Sequence, residues 1–530
     1  MKSFRLKNIK SFEDTGEIEL KPITVFVGPN SSGKSSLLRF PVVISQTYLD
    51  DAIAPIIFHG KYVDYGNFDD VVHDHSGDTV NFEITFDYLK LTHFLRYTNM
   101  ASALRHAFRE KSLTKSVKLN ITTRKSKRNI NVHQYTITIG TEKFFSLKET
   151  NDGYQINLYY LFFQKGMSKL DIPITLPVHK LTFEKFIIER RSWRRAISRA
   201  IEKKAHDKFN YSKNQLSAIS EFLTPSLSRF FHKPTDDLIS ELPEKDKEVV
   251  EYLNKVWETL FAIEAISNAL DRYLNHFSQN MNYIGPFRTD PKRNYRQSES
   301  LYDYVGKNGE NVSMLLRQAE RDQHPLFKRV SNWFSEAMGY QIGIDEIPES
   351  NLFKIKVYSE QKPKGDNLID VGFGISQILP IVTQLYYDKQ QDNENRSRLY
   401  SRYSPQTFVI EQPEIHLHPH AQAELANLFV ERILIARIQK DNTPQILIET
   451  HSEHLIRRLQ SLVANPEVAF TAEDVSIYYV EMDKTGTSHV QKMNMNESGQ
   501  FIERWPSGFF DKGYLLSKEL ARNASKKAAA

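Results

Sequence analysis

The chain has 530 residues, of which 40% are hydrophobic, 12% aromatic and 25% charged, a balance that excludes a globally disordered protein. It contains no cysteine, which excludes disulfide frameworks, thiolate metal sites, iron–sulfur clusters and a cysteine nucleophile. The net charge of +5 says little about partners until the charges are located along the chain.

The length predicts several substructures, since domains average about 150 residues. Residues Met1–Lys7 lack the apolar core of a signal peptide. No run approaches the roughly 20 apolar residues that a membrane-spanning helix needs. We therefore expect a cytoplasmic protein without a membrane partner.

Apolar and β-branched residues predict short strands near the N-terminus, the last of them at Ile23–Val27, and a helix directly after Lys34. A strand-like texture from about 78 to 164 predicts a β-rich lobe. Residues 181–278 contain no glycine and carry Leu, Glu, Lys and Ala at helical spacing, so we expect a helical insertion there. Strands that lead into helices return towards the C-terminus and predict two α/β units.

The segment Gly28–Ser35 fits the pattern G-x-x-x-x-G-K-[ST] between a predicted strand and a predicted helix. Its glycines let successive backbone amides face a phosphate at the positive end of the helix. We expect Lys34 to reach the β- and γ-phosphates of a nucleotide, and Ser35 to ligate Mg²⁺. The predicted nucleotide-binding residues are Gly28, Asn30, Ser31, Ser32, Gly33, Lys34, Ser35 and Ser36.

Two later strands end in polar clusters. Thr407–Glu411 is a buried strand that ends in an acid, and Gln445–Ile448 leads into the sequence Glu-Thr-His-Ser-Glu. Nucleotide hydrolysis needs a carboxylate near the metal and a group that orients or deprotonates the attacking water. An imidazole at the second strand end, that of His451, can hydrogen-bond a γ-phosphate or this water.

These segments resemble the phosphate loop, the Walker B segment with its D-loop, and the switch histidine of ABC-type ATPases of the SMC, RecF and OLD group. Within that group the chain resembles bacterial AAA-type ATPases with a DUF3696-like C-terminal segment, which Trp505–Asp511 would match. Some relatives, including the PtuA-like ATPases of Septu and retron systems, serve in anti-phage defence. The resemblance implies an α/β fold, namely an ABC-type P-loop ATPase head with an antiparallel β lobe and a helical insertion, and it implies ATP and Mg²⁺ as cofactors.

We expect four parts along the chain. They are an N-terminal ATPase lobe with the phosphate loop and a β-rich subdomain at 1–180, the helical insertion at 181–280, a C-terminal ATPase lobe at 281–500, and a DUF3696-like segment with the tail at 501–530.

The resemblance also implies roles for single residues. Glu411 takes the role of the Walker B acid near Mg²⁺, and His451 takes that of the switch histidine. Gln46 matches a metal-contacting Q-loop glutamine, or else is a surface residue of a helix.

The segment Asp366–Gln377 resembles the signature that contacts a γ-phosphate in trans, and the residues singled out there are Gly372, Gly374, Ser376 and Gln377. Ser376 is predicted to cap the following helix. The alternative is an ordinary glycine loop before a helix. A signature implies that the heads form a homodimer around ATP, alone or within a higher oligomer.

One position departs from the family pattern. A catalytic Glu directly follows the Walker B acid in the family, whereas this chain has Gln412. An amide orients water but does not accept its proton, so hydrolysis is predicted to be slow, or Glu414 or His451 takes part of the role.

Three histidines, His416, His418 and His420, alternate after the Walker B segment. Neutral imidazoles are common metal ligands. His418 falls where ABC ATPases carry the D-loop Asp, so we favour a dimer contact over a metal site.

Positive charge is concentrated in two stretches. Residues 105–128 carry nine Lys or Arg against one acid, and residues 185–213 carry ten against three, which gives +8 and +7. The residues singled out there are Arg124, Lys125, Lys127, Arg128, Arg191, Arg195, Arg199 and Lys203. One interpretation is contact with the backbone of DNA or RNA. The other is a solvated face, or one that binds an acidic partner.

The segment after His451 lacks the spaced acidic cluster of the Toprim domain that OLD nucleases append. We therefore expect the effector activity on another chain, which a PtuA-like resemblance makes an HNH nuclease. The leading hypothesis is a dimeric ATPase that regulates this nuclease in defence. The alternatives are a DNA-repair ATPase of RecF or SMC character and a nucleotide-switched scaffold with almost no hydrolysis.

Overall fold

The computed structural model describes residues 1–50, 54–94, 116–126, 129–151, 153–158, 174–176, 244–302, 304–387, 405–506 and 512–528. The chain forms two compact units, Met1–Ile18 with Val43–Gln279 and Glu19–Val42 with Asn280–Ala530. Strands β1–β19 and helices α1–α10 are numbered in chain order across both units. Within the described residues, no helix is both long and apolar enough to cross a membrane.

The first unit is built on an antiparallel sheet. Its strands are β1 (Ser3–Ile9), β2 (Phe12–Asp14), β3 (Ile18–Glu19), β5 (Thr79–Asp87), β6 (Ser116–Ser126), β7 (Asn129–Ile139), β8 (Glu142–Thr150), β9 (Gly153–Leu158) and β10 (Ile174–Leu176). Along the sheet the order is β10-β9-β8-β7-β6-β5-β1-β2. Buried and partly buried residues alternate along β6, as expected for a sheet with one face on a core. The predicted antiparallel β lobe is confirmed.

Three helices belong wholly to this unit, namely α2 (Phe68–Val71), α3 (Tyr88–Phe94) and α4 (Glu244–Gln279). Tyr273 of α4 packs edge-on against Phe86 and Phe94, with ring centroids 5.2 and 5.6 Å apart. Helix α4 is the C-terminal part of the predicted helical insertion. The rest of that prediction, from 181 to 243, lies outside the described residues.

The second unit contains a mixed six-stranded sheet and a smaller four-stranded sheet. Its strands are β4 (Ile23–Val27), β11 (Met281–Ile284), β12 (Tyr295–Arg296), β13 (Gln341–Glu346), β14 (Leu352–Ser359), β15 (Lys362–Asn367), β16 (Thr407–Glu411), β17 (Gln445–Glu449), β18 (Val475–Met482) and β19 (Ser488–Met493). Its helices are α5 (Val312–Arg321), α6 (Pro325–Met338), α7 (Phe373–Tyr386), α8 (Pro419–Ile438), α9 (Glu453–Ala464) and α10 (Lys512–Ala528). Helix α1 (Lys34–Leu49) begins in this unit and ends in the first.

The six-stranded sheet runs β11-β16-β17-β4-β18-β19. All its neighbouring strands are parallel except β18 and β19, which pair antiparallel. Every residue of β4 and β16 is buried, which explains why both read as continuous apolar runs. Because parallel strands end at the same edge of a sheet, the loops after β4, β16 and β17 meet there. The predicted α/β class is confirmed.

Candidate functional site

The phosphate loop connects the end of β4 to the start of α1. Val27 is the last residue of the strand and Lys34 the first of the helix, as the motif predicts. Gly28 has a φ of +145°, and a Cβ there would lie 2.0 Å from the carbonyl oxygen of Val480 on β18. Gly33 has a φ of +93°, so both glycines adopt conformations that other residues rarely reach. The curl of the loop therefore depends on both glycines.

Lys34 and Ser32 are buried polar side chains of this loop. Lys34 is 3% exposed, and its Nζ donates a 2.6 Å hydrogen bond to the carbonyl oxygen of Pro29. Burial lowers the pKa of Lys34, while Glu449 and Glu414 act in the opposite direction. Ser32 is also buried, and its Oγ has no hydrogen-bond partner among the described residues. A phosphate would supply acceptors for both groups, so the loop fits a nucleotide.

Ser35, the predicted Mg²⁺ ligand, contacts an acid at the end of β17. Its hydroxyl donates a 2.7 Å hydrogen bond to Oε2 of Glu449. Burial raises the pKa of Glu449, the Ser35 hydrogen bond lowers it, Glu411 raises it and Lys34 lowers it. Hydroxyl and carboxylate oxygens are the donors that Mg²⁺ prefers, usually one or two carboxylates together with substrate phosphates and water. In the part of the chain that the structure describes, no three His, Cys, Asp or Glu side chains form a closed metal cage. The pair fits Mg²⁺ in this open mode.

Glu411, the predicted Walker B acid, is held by an arginine and a tyrosine. Nε and Nη2 of Arg39 donate to its two carboxylate oxygens at 2.6 and 2.7 Å. The hydroxyl of Tyr283 donates to Oε1 of Glu411 at 2.6 Å. The Glu411 side chain is 3% exposed. Its charge is therefore neutralised by a buried bidentate ion pair.

The backbone after Glu411 is braced by Arg288, which follows β11. Nη2 of Arg288 donates to the carbonyl oxygen of Glu411 at 2.6 Å, and Nη1 donates to that of Gln412 at 3.2 Å. Gln412 has a φ of +44°, which is uncommon for a residue with a side chain. Its N–H donates to the carbonyl oxygen of Glu449 at 2.8 Å. Burial lowers the pKa of Arg288 to about 10, against the attraction of Glu414 and Glu411. Such a strained, braced position is typical of functional sites.

Glu414 and His451 form the second half of the site. The backbone N–H of His451 donates to Oε1 of Glu414 at 2.6 Å. The other oxygen, Oε2, is buried and makes no hydrogen bond of good geometry among the described residues, although the nearby side chain of Thr450 lowers the pKa of this carboxyl group. Burial raises the pKa of Glu414. Burial, and then the charge of Lys34, lower the pKa of His451, so its imidazole is neutral near pH 7.

The signature-like segment forms the start of α7. Gly372 is the N-cap residue, and Ser376 lies one turn inside the helix, where its Oγ donates to the carbonyl oxygen of Phe373 at 2.8 Å. The prediction that Ser376 caps this helix is wrong, because the helix begins three residues before it. A Cβ on Gly374 would lie 2.9 Å from the carbonyl oxygen of His416. Gly374 thus allows the segment to pack closely on the loop after the Walker B strand.

The three alternating histidines do not form a metal site in the described residues. His418 is the N-cap of α8, with its Nδ1 facing the N–H of His420 at 3.4 Å. His416 has a φ of +62°, and its ring lies 6.0 Å from that of Phe373. Dimer contact remains a prediction for this segment.

Gln46 and the described basic residues belong to the first unit. Gln46 is buried rather than exposed, and its Nε2 and Oε1 bond backbone groups of Ile57 and Val63. Arg124 pairs with Asp78 at 3.1 Å and Lys125 pairs with Asp69, so both are neutralised locally. The metal role of Gln46 stays a prediction. The remaining singled-out basic residues, Lys127, Arg128, Arg191, Arg195, Arg199 and Lys203, lie outside the described residues.

The sequence predicts no role for Arg39, Tyr283, Arg288 or Glu449. The position of Arg39 could have been predicted, because it follows Ser35 by four residues on α1 and therefore lies on the same face of the helix. The contacts of Arg288 and Tyr283 could not have been predicted, since the pairing of β11 with β16 joins residues more than 120 positions apart. Glu449 lies at the end of a predicted strand, but the family pattern indicates Glu411 as the acid near Mg²⁺.

The family described as "AAA ATPase domain" matches residues 1–456. A second family, described as "Protein of unknown function (DUF3696)", matches residues 471–513. The second match begins before the predicted C-terminal segment and includes β18, whose Val480 meets Gly28. No curated protein matches the sequence.

Two solved structures are similar to the chain at low identity. One is the Smc head domain with an extended coiled coil bound to the C-terminal domain of ScpA, from Pyrococcus furiosus, at 15% identity and a TM-score of 0.35, covering 93% of this chain and 96% of that one. The other is the SMC head domain from Thermotoga maritima, at 9% identity and a TM-score of 0.34, covering 93% of this chain and 99% of that one.

Proposed function

Because the chain belongs to the AAA ATPase domain family and carries the DUF3696 segment that its sequence predicted, we propose that it binds ATP with Mg²⁺ at the phosphate loop. One observation carries the proposal, namely that Lys34, Ser32 and the Ser35–Glu449 pair converge where adjacent parallel strands end. The loop amides and Lys34 would hold the β- and γ-phosphates. Mg²⁺, when bound, neutralises charge that develops on the phosphates.

We propose that hydrolysis is slow, because Gln412 stands where the family has a catalytic Glu. The amide of Gln412 would orient the attacking water without accepting its proton. Glu414 is the residue best suited to accept that proton, because its Oε2 is buried and makes no hydrogen bond of good geometry among the described residues. Burial raises the pKa of Glu414 towards the range in which a carboxylate is an effective base. His451, neutral in this site, would orient the water or the γ-phosphate.

Single-turnover hydrolysis tests these roles. Gln412→Glu is expected to raise the rate, and Glu414→Gln to lower it by about 10²-fold or more. Gln439→Glu, on the exposed end of α8, is the matched control for the added charge and should leave the rate unchanged. An unchanged rate in both site variants would contradict the assignment.

We further propose a homodimer through the ATPase heads, in which the segment Gly372–Gln377 faces the ATP of the second copy. Support comes from the close packing of Gly374 on the loop at His416 and from Phe373, which is 61% exposed beside it. An exposed aromatic residue in a signature-like segment suits contact with a second copy. Light scattering measures the molar mass of the wild-type protein with and without Mg²⁺ and ATP. The mass of a dimer should appear only when the nucleotide is present.

The biological role that we propose is regulation of a separate effector, such as an HNH nuclease, in anti-phage defence in the cytoplasm, as for PtuA-like ATPases. It rests on the sequence resemblance and on the ATPase site. Co-purification with the product of the neighbouring gene tests it, and ATP-dependent association is the expected result. DNA-stimulated turnover without such a partner would instead favour a DNA-repair ATPase.

Gln412 specifically favours a second candidate function, a nucleotide-switched scaffold. Such a protein would dimerise around ATP and release it without hydrolysis. ATP-dependent dimers combined with no turnover, in the presence or absence of DNA, would favour this candidate.

A further inference from the structure

Arg288 contacts two successive carbonyl groups at the end of the Walker B strand. Its Nη2 donates to the carbonyl oxygen of Glu411 at 2.6 Å, and its Nη1 donates to that of Gln412 at 3.2 Å. Arg288 is 6% exposed. Hydrogen bonds from a charged donor are stronger than those between neutral groups, and exclusion of water strengthens them further. Arg288 therefore constrains the peptide groups on both sides of residue 412.

Gln412 has a backbone conformation that needs such support. Its φ of +44° lies in the left-handed region, which residues with a side chain rarely occupy. Its N–H donates to the carbonyl oxygen of Glu449 on β17 at 2.8 Å. Its own carbonyl oxygen accepts from Arg288 and, at 3.4 Å, from the N–H of Ile415. These bonds compensate for the strain, and they fix the direction in which the side chain of Gln412 leaves the backbone.

The loop that carries Arg288 is itself fixed to a neighbouring turn. The N–H of Gly285 donates to the carbonyl oxygen of Lys307 at 2.8 Å, and the N–H of Thr289 donates to that of Asn308 at 2.7 Å. These two hydrogen bonds flank Arg288 in the sequence. The guanidinium therefore extends from a supported backbone rather than from a free loop.

The burial of Arg288 is not explained by an ion pair with the Walker B acid. The carboxylate of Glu411 is already neutralised by Arg39, and the hydrogen bonds of Arg288 among the described residues go to carbonyl oxygens. Burial of a charged group is costly when no opposite charge is bonded to it. Buried strain and charge of this kind concentrate at functional sites.

We propose that Arg288 is a positioning residue for hydrolysis, which holds Gln412 in its left-handed conformation so that the Gln412 amide meets the attacking water. Arg288 acts through the backbone and does not contact the nucleotide. A displacement of about 1 Å in a reacting group can cost about 100-fold in rate. Loss of a carbonyl contact should therefore slow hydrolysis without changing the affinity for ATP. The inference rests on the proposed hydrolysis and adds a residue to that same site.

Arg288→Lys tests the inference, because lysine keeps the charge but lacks the planar fork that bridges two carbonyl oxygens. The single-turnover rate should fall by about 10- to 100-fold. The affinity for a non-hydrolysable ATP analogue should stay within about twofold of wild type. Arg321→Lys, in an exposed pair with Asp322, is the matched control and should change neither quantity. A loss of affinity as large as the loss of rate would mean that Arg288 binds the nucleotide directly, which would refute the inference.

A double-mutant cycle separates positioning from a general effect on the fold. Gln412→Ala has no amide to position, so adding Arg288→Lys to it should lower the rate by no more than about twofold further. Gln412→Glu keeps a side chain to position, so adding Arg288→Lys to it should again cost about 10- to 100-fold. An equal loss in all three backgrounds would overturn the inference.

Unfolding curves show whether each variant is folded. If Arg288→Lys is not, Arg288→Gln takes its place in the cycle, since glutamine keeps one donor without a buried charge, and the same pattern is expected. Turnover that does not depend on Arg288 would overturn this inference alone. A wild-type chain that binds the analogue but does not turn ATP over would overturn the proposed hydrolysis, and the inference with it.

Discussion

Arg39 donates hydrogen bonds to both carboxylate oxygens of Glu411 at 2.6 and 2.7 Å, and this ion pair joins helix α1 to the end of the Walker B strand. The helix carries the phosphate loop at its start, so the pair fixes the loop relative to the strand ends. The pair is buried on the Glu411 side, where only 3% of the side chain is exposed.

Arg39→Ala is expected to destabilise the fold by about 3 kcal/mol, because it leaves the buried charge of Glu411 unpaired. Arg457→Ala is the control, since Arg457 makes an exposed pair with Glu453 and should cost no more than about 0.5 kcal/mol. Chemical denaturation measures both. Adding Glu411→Gln to Arg39→Ala should recover part of the loss, and equal costs for the two single variants would contradict this account of the pair.

Gly28→Ala is expected to disrupt the phosphate loop, because the new Cβ would meet the carbonyl oxygen of Val480 at 2.0 Å. Gly486→Ala is the control, since Gly486 also has a positive φ of +89° but no atom within 4 Å of its Cβ position. The control should cost about 1–2 kcal/mol from backbone strain alone, and Gly28→Ala clearly more. Thermal unfolding with and without ATP compares them, and similar costs would count against the close contact with β18.

Ser32→Ala is expected to weaken nucleotide binding without lowering the stability of the fold. The Ser32 hydroxyl is buried without a partner in the described residues, so its removal should not lower the free energy of unfolding. A phosphate would lose one hydrogen bond, worth about 1 kcal/mol. ATP affinity should therefore fall about fivefold, as measured by titration with a fluorescent ATP analogue. A destabilised variant with unchanged affinity would mean that the hydroxyl has a structural partner instead.

His276 is expected to make the first unit less stable in acid. Burial lowers the pKa of His276, so the folded state binds its proton less readily than the unfolded state does. The stability from the neutral ring is present above the unfolded pKa of about 6.5 and is lost as the pH falls through the lower, folded pKa. His276→Gln should therefore lose less stability between about pH 8 and pH 5 than wild type. His454→Gln, at an exposed position of α9, should follow the wild-type curve, and a wild-type curve for His276→Gln would refute the assignment.

The local part of the site could be predicted from the sequence. Lys34 and Ser35 belong to a motif whose strand, loop and helix are consecutive, so local pattern fixes their placement. The apolar runs of β4, β16 and β17 predicted buried strands with polar residues at their ends. The α/β class and the antiparallel lobe followed from the same periodicities.

The pairing of residues across the site could not be predicted. Arg39 and Glu411 are 372 positions apart, and Ser35 and Glu449 are 414 apart. Sheet order decides which acid neighbours the loop, and no local propensity contains that order. The error at Ser376 has a different origin, because serine is a better N-cap residue than glycine by propensity, yet the helix begins at Phe373 after Gly372.

Equilibrium titration with a fluorescent ATP analogue in Mg²⁺ shows whether this chain binds ATP through its phosphate loop. The wild-type chain should bind, and Lys34→Ala should weaken binding by about 100-fold or more, since it removes a charge-assisted contact to the phosphates. Equal binding by the two proteins, with unfolding curves that show both are folded, would mean that ATP does not bind at the phosphate loop.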